Sequence, residues 1–208
     1  MATYEPRDKF YRKARAMGLP SRAAFKIEEI IARNRLVGKG ARVVDLGCAP
    51  GGWLAILVVA AGANGRVVGV DLAPVKNPPA GAIAIAGDIL DPAVAARVQS
   101  ELGGRADLVT SDLAPKLTGI AMRDEARSRE LIDCALTFAA TMLKPGGAMV
   151  AKLFMGAQFK DIVDSFKRHF GSVEVTRTKA SRPGSSELYL VARDFHRSQP
   201  LLVARRES

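Results

Sequence analysis

A lysine inside an apolar strand is costly unless something needs it, and Lys152 sits in the run "AMVAKLFM". An unpaired ammonium there would lose its hydration without compensation. Lys152 therefore reads either as a functional group or as the structural partner of a carboxylate, Asp112 being the candidate. Four aspartates, Asp45, Asp71, Asp88 and Asp112, each fall at the carboxyl end of one of the first four short β-rich runs. Any one of them would ordinarily cap a turn or a helix. Four along one rim suggest a row of acceptors for the hydroxyls and amines of a ligand.

The stretch "VVDLGCAPGGW", Val43 to Trp53, carries a strand through small turn residues and two glycines into an apolar helix. Such a backbone usually leaves room for something to lie against it. The loop is not G-x-G-x-x-G, because Gly47, Gly51 and Gly52 are spaced differently and Pro50 stands where a pyrophosphate would want an amide donor. A nicotinamide dinucleotide is disfavoured. Asp71 ends the second run and suits a ribose diol, and Asp88, ending "AGD", suits the exocyclic amine of a base. A cofactor with ribose and adenine but no phosphates fits these features, and S-adenosylmethionine is the common one.

Bland readings accompany several of these residues. Trp53 is most simply a helix-packing residue, Cys48 is simply small, and Glu187 could merely begin an edge strand. Lys26 shares a helical face with Arg22, Glu29 and Arg33, opposite Ala24, Ile27 and Ile31, which is ordinarily a solvated face.

Positioning these side chains takes a regular framework. From residue 41, β-rich runs alternate with helical patterns: "ARVVDLG", "GRVVGVDL", "AIAIAGD", "ADLVTSDL", "GAMVAKLF", "SVEVTRTK" and "SELYLVARDF". Helices are expected at about 51–61, 91–102, 124–143 and 156–169, with "LKPGG" stopping the third before a strand. No crossover helix fits in the loop "ASRPGS", so the last strand should pair antiparallel. The expected fold class is α/β: a Rossmann-like methyltransferase fold with a seven-stranded, mostly parallel sheet, its last strand antiparallel, and helices on both faces. The first forty residues lie outside this rhythm and read as one or two helices packed on the sheet.

Composition narrows the setting. A chain of 208 residues holds one α/β domain. Its net charge of +10 is uneven: residues 1–40 carry ten Lys/Arg against four Asp/Glu, residues 171–208 seven against four, and residues 41–170 fourteen against thirteen. Basic ends are either solvated tails or holders of a polyanion's phosphates around a neutral core. Two cysteines and two histidines, Cys48, Cys134, His169 and His196, supply neither a disulfide framework nor a zinc site. No apolar run approaches the length of a membrane span, and the amino terminus does not read as a secretory signal. The expectation is a metal-free cytoplasmic monomer with no membrane contact.

"DLGCAPGGW", "GVDLAP", "GDI", "SDLAP", "AKLF" and "SSELY", in this order, strongly resemble the FtsJ/RrmJ family of RNA ribose 2′-O-methyltransferases over roughly residues 8–195. The resemblance implies S-adenosylmethionine as cofactor, bound by Gly51, Trp53, Asp71, Asp88 and Asp112. It also implies a catalytic Lys-Asp-Lys-Glu tetrad, which by position is Lys26, Asp112, Lys152 and Glu187. Methyl transfer from a sulfonium to a ribose hydroxyl is an in-line displacement that needs positioning and a base. A lysine serving as that base must sit where the neutral amine is favoured, and a second cation and burial act in that direction.

By the same resemblance the substrate is a uridine ribose in large-subunit ribosomal RNA, free or in the subunit or its precursor. The alternatives are a tRNA ribose, a noncatalytic RNA-binding or ribosome-assembly module on the same fold, and, less favoured, a small-molecule methyltransferase. The chain divides into a basic helical segment 1–40, a methyltransferase domain 41–195, and a basic tail 196–208 without counterpart. If Lys26 and Glu187 meet Asp112 and Lys152, both basic segments converge there. Arg7, Lys9, Arg12, Lys13 and Arg15 would then flank RNA on one side, with Arg177, Lys179 and Arg182 on the other.

Overall fold

The structure, a computed structural model, describes residues 9–115, 118–181 and 184–196. Seven strands form one sheet in the order β3-β2-β1-β4-β5-β7-β6. They are β1 (Arg42–Leu46), β2 (Arg66–Asp71), β3 (Ala82–Ala86), β4 (Ala106–Ser111), β5 (Leu143–Phe154), β6 (Phe170–Thr176) and β7 (Glu187–Phe195). Strands β3, β2, β1, β4 and β5 pair in parallel, while β7 runs antiparallel to β5 and β6. The chain winds outward from β1 to β3 and then from β4 to β6, which leaves a crevice at the carboxyl ends of β1 and β4.

Strand alternation divides the core in two. Val44, Leu46, Leu188 and Leu190 face a cluster completed by Val98 and Leu102 of α4 (Pro92–Leu102), Ile132 and Leu136 of α5 (Ala121–Met142), and Ile162 and Phe166 of α6 (Phe159–Lys167). Val43, Tyr189 and Val191 face the other side, where α2 (Ala24–Asn34) and α3 (Gly52–Ala61) supply Ile27, Ile30, Trp53, Leu54 and Leu57. Helices thus cover both faces, as the sequence pattern leads one to expect.

The segment 9–40 forms two helices that differ in what they pack on. The apolar spacing of Ala24, Ile27, Ile30 and Ile31 seats α2 on the sheet, and full burial of Ile27 and Ile30 contributes about 1.5–3 kcal/mol each. Helix α1 (Lys9–Ala16) instead packs Phe10 and Ala14 against Phe25 of α2 and Ala180 of the β6–β7 connection. Two expectations are corrected. "LKPGG" lies inside β5 and bulges there, because Leu143 already pairs with Ala106 before the register shifts to Leu108 and Ala148. β7 is no edge strand: β6 takes the edge, so Glu187 opens an interior strand.

Candidate active site

Asp112 lies one residue past β4, its amide donating to Leu46 O at 2.9 Å, which ties the ends of β4 and β1 together. Lys152, near the carboxyl end of β5, reaches it: Nζ lies 2.8 Å from Asp112 Oδ1 and donates to Asp112 O at 3.0 Å. The Lys152 side chain is only 9 % exposed. Opposite stand Lys26 and Glu187, with Nζ donating to both carboxylate oxygens at 2.6 and 2.8 Å. Ser181 Oγ also donates to Glu187 Oε1 at 3.2 Å. The two pairs feel each other, since Asp112 is within electrostatic reach of Lys26 and Glu187, and Glu187 of Lys152. The four residues of the implied tetrad form one cluster of two cations and two anions.

The carboxylates differ in environment. Burial raises the Asp112 carboxyl above its ordinary value, a shift that Lys152 only partly offsets. Burial pushes Glu187 the same way, but the hydrogen bonds and charge of Lys26, with the charge of Lys152, outweigh it and leave the carboxyl below its ordinary value.

Lys26 is not on a solvated face. Its neighbours on that face are engaged by the chain before β7: Arg22 donates to Ala180 O, and Lys179 N donates to Glu29 Oε2 at 2.8 Å. Arg33 Nη1 donates to Thr176 Oγ1 at 3.2 Å. A polar stripe reads the same whether it meets water or a loop a hundred and fifty residues away, so sequence had no signal for this contact. It brings α1 and the connection around Lys179 to one mouth, with Lys9, Arg12, Lys13 and Arg15 exposed there. Arg7 and Arg182 lie outside the described residues, as does the tail beyond His196.

Tyr189 was not singled out by sequence. Its ring is fully buried 6.0 Å from Trp53, and its hydroxyl lies under Glu187, close enough to feel the carboxylate but without hydrogen-bond geometry. Trp53 is buried, and its Nε1 donates to Ala23 O at 2.9 Å, pinning the start of α2 that carries Lys26.

Along the rim the aspartates separate. Asp45 is not on it: the residue lies one position before the end of β1, fully buried, accepting from Thr110 Oγ1 at 2.7 Å, and burial raises its carboxyl well above the ordinary range. Asp71 accepts from Ala49 N at 2.9 Å and Ala73 N at 2.8 Å, holding the glycine loop against β2. Asp88 is exposed and accepts from Leu90 N at 2.9 Å. Both therefore serve as turn acceptors while keeping lone pairs for a ligand. Leu72 and Leu90, exposed by 76 % and 50 %, stand beside them. Acceptors with apolar neighbours suit a ribose and an adenine, so the residues present fit S-adenosylmethionine.

The glycines divide as well. Gly51 has φ +106°, which strains any other residue, and among the described residues a Cβ there would touch only Val75 Cγ1 at 3.3 Å and Pro79 Cδ at 3.7 Å. The room beside Gly52 is already used, because a Cβ would lie 2.5 Å from Ser21 Oγ.

A seven-stranded sheet with this strand order, an antiparallel seventh strand and a carboxylate rim at the switch point defines the Rossmann-like class of S-adenosylmethionine-dependent methyltransferases. The profile of the FtsJ-like methyltransferases matches residues 19–195. The chain belongs to the FtsJ-like methyltransferase family. It is 46 % identical over 195 residues to the ribosomal RNA large subunit methyltransferase E of Methanoculleus marisnigri, covering 94 % of this chain and 95 % of that one. With the same-named protein of Anaeromyxobacter dehalogenans it shares 47 % identity over 193 residues, 92 % of this chain and 72 % of the other. A Plasmodium falciparum crystal structure assigned as a ribosomal RNA methyltransferase superposes with a TM-score of 0.72 at 25 % identity, covering 84 % of this chain and 97 % of that one.

Proposed function

We propose that this protein transfers a methyl group from S-adenosylmethionine to a ribose 2′-hydroxyl of large-subunit ribosomal RNA, with a uridine as the target. The observation that carries the reading is the Lys26–Glu187 and Lys152–Asp112 cluster at the switch point of a methyltransferase sheet. Likeness to the ribosomal RNA large subunit methyltransferases E supports the choice of RNA. All four residues come from one chain, which supports action as a monomer, and the ribosomal substrate supports a cytoplasmic location.

The cofactor supplies an electrophilic methyl on a sulfonium. The chain's own groups do the rest: Lys152 Nζ takes the 2′-hydroxyl proton, Asp112 holds that amine by its side chain and its carbonyl, and the Lys26 ammonium, fixed by Glu187, favours the developing negative oxygen. Asp71 would hold the ribose, Asp88 the adenine edge, and the Gly51 backbone would lie against the cofactor. We place Trp53 behind the loop, positioning α2. Mapping 2′-O-methyl groups in ribosomal and transfer RNA with and without the gene tests the function. Loss of one site in large-subunit RNA is expected, and loss confined to tRNA would overturn the substrate.

Asp71→Ala is expected to weaken S-adenosylmethionine binding by about 1.5–3 kcal/mol, the cost of removing a charged hydrogen bond. Calorimetry reads this directly, and unchanged affinity would remove Asp71 from the site. The exposed residues Arg12 and Lys13 of α1 lie at the mouth, so reversing both to glutamate should weaken RNA binding. Its salt slope should drop by about 0.7 for each single-strand phosphate that the variant no longer neutralises. Cofactor affinity should stay at the wild-type value, and RNA binding unchanged across a salt series would mean that RNA docks elsewhere.

A further inference from the structure

At the opposite end of the sheet lies a cavity of about 360 Å³, lined among others by Arg35, Lys39, Lys144, Arg193, Asp107 and Asp194. Its four cations outnumber its two carboxylates, and Asp107 is already engaged by Lys144 at 2.5 Å and by the Arg42 amide at 2.7 Å. Arg193 gives one guanidinium nitrogen to Asn34 Oδ1, while its buried Nε has no hydrogen-bond partner among the described residues. Arg35 closes α2 with φ +51°, a conformation glycine adopts more easily. Asp194, the other described non-glycine residue with positive φ, lines the same cavity. Residues kept in such conformations gather where their side chains are used.

The same four elements carry both sites. Helix α2 bears Lys26 and ends at Arg35, β5 bears Lys152 and Lys144, and β7 bears Glu187 and Arg193. β4 bears Asp107 and leads into Asp112. Arg193 lies six positions beyond Glu187 on β7, about 20 Å at the usual strand rise. We infer that this cavity is a second phosphate site, which grips the backbone of the substrate RNA about 20 Å from the reacting ribose. A guanidinium with one N–H left without a partner among the described residues, beside three further cations, suits a phosphate oxygen. The inference rests on the RNA substrate proposed above, and the fixed elements would make the two sites one ruler along the RNA.

Arg35→Gly with Lys39→Gln tests it, because glycine relieves the left-handed turn and the fold should melt at or above the wild-type temperature. Binding to long large-subunit ribosomal RNA should weaken and its salt slope fall by about 0.7–0.9 for each phosphate released from the cavity. A short oligonucleotide that fills only the tetrad end should be methylated at the wild-type rate. Arg35→Lys, which keeps the charge, should restore most of the long-RNA binding when combined with native Lys39. Long-RNA affinity and slope equal to wild type would overturn the proposal, as would an equal loss on the short oligonucleotide. So would a variant that loses only the thermal protection given by inorganic phosphate or a mononucleotide while binding long RNA normally, for then the pocket takes a small anion. Failure of the wild type to methylate any RNA would instead overturn the proposed function, while the salt slopes still report on the pocket.

Discussion

Lys152→Arg will bind S-adenosylmethionine as the wild type does and lose methyl transfer by about 10²–10⁴-fold, the range a positioned proton acceptor contributes. Arginine is the informative replacement because it keeps a cation beside Asp112, where the side chain is 9 % exposed and an unpaired carboxylate would be costly. It differs from lysine in the one property the mechanism uses, since a guanidinium does not give up its proton at any pH of interest. Lys152→Ala should be equally inactive, but it strips Asp112 of its partner and so mixes a folding defect with a chemical one. The measurement is single-turnover transfer to RNA beside calorimetric cofactor affinity. Turnover near the wild-type rate in Lys152→Arg would show that Lys152 only neutralises Asp112 and that another group takes the proton.

The second large effect is on stability. Glu187→Ala leaves the Lys26 ammonium, 14 % exposed, without the carboxylate that accepts its two hydrogen bonds. Breaking a buried pair from one side costs about 3–5 kcal/mol, and the residual exposure argues for the lower end. For a chain of this size about 3 kcal/mol corresponds to a fall of roughly 6–12 °C in Tm. The pair also has a pH signature. Glu187 titrates lower folded than unfolded, so its contribution is fully present above the ordinary glutamate range and is lost as pH falls through the depressed folded value.

Asp112 has the opposite sign. Its raised folded value means that ionising it opposes folding at neutral pH, a cost relieved as pH falls through that value. Glu187→Ala should therefore lose stability at pH 7 and show a shallower acid limb, as melts between about pH 7 and about pH 3 would reveal. Replacing both partners by apolar residues, Lys26→Met with Glu187→Leu, should recover most of the Tm yet transfer no methyl groups. A double variant with wild-type activity would make the pair purely structural.

Much of this molecule is legible in one dimension because its elements are local. Alternation in "VVDL" and "LYLVA", the apolar spacing of Ile27, Ile30 and Ile31, and Gly51 at a strand-to-helix turn depend on neighbours a few residues apart, and periodicity reports such neighbours. The seven strands, their helices and the reversed last strand follow from that, and the motif order pointed to the family. Lys152 was legible for a related reason: a charge in an apolar strand is a local conflict, and such conflicts mark sites.

What the sequence could not carry is which distant surfaces touch. Asp45 and Asp71 look alike at strand ends, yet one is sealed against Thr110 and the other faces the loop, because Asp45 pairs with Gly69 and so sits two residues deeper in the sheet than Asp71. The space freed at Gly52 is filled by Ser21, and the polar face of α2 meets the chain before β7 instead of water. Lys26 and Glu187 stand 161 residues apart, and their side chains close to 2.6 Å only because α2 and β7 pack into one apolar cluster that also holds Trp53. Burial and pairing of charges are properties of the packed chain, since desolvation and Coulomb energy depend on distances in space that no residue order encodes.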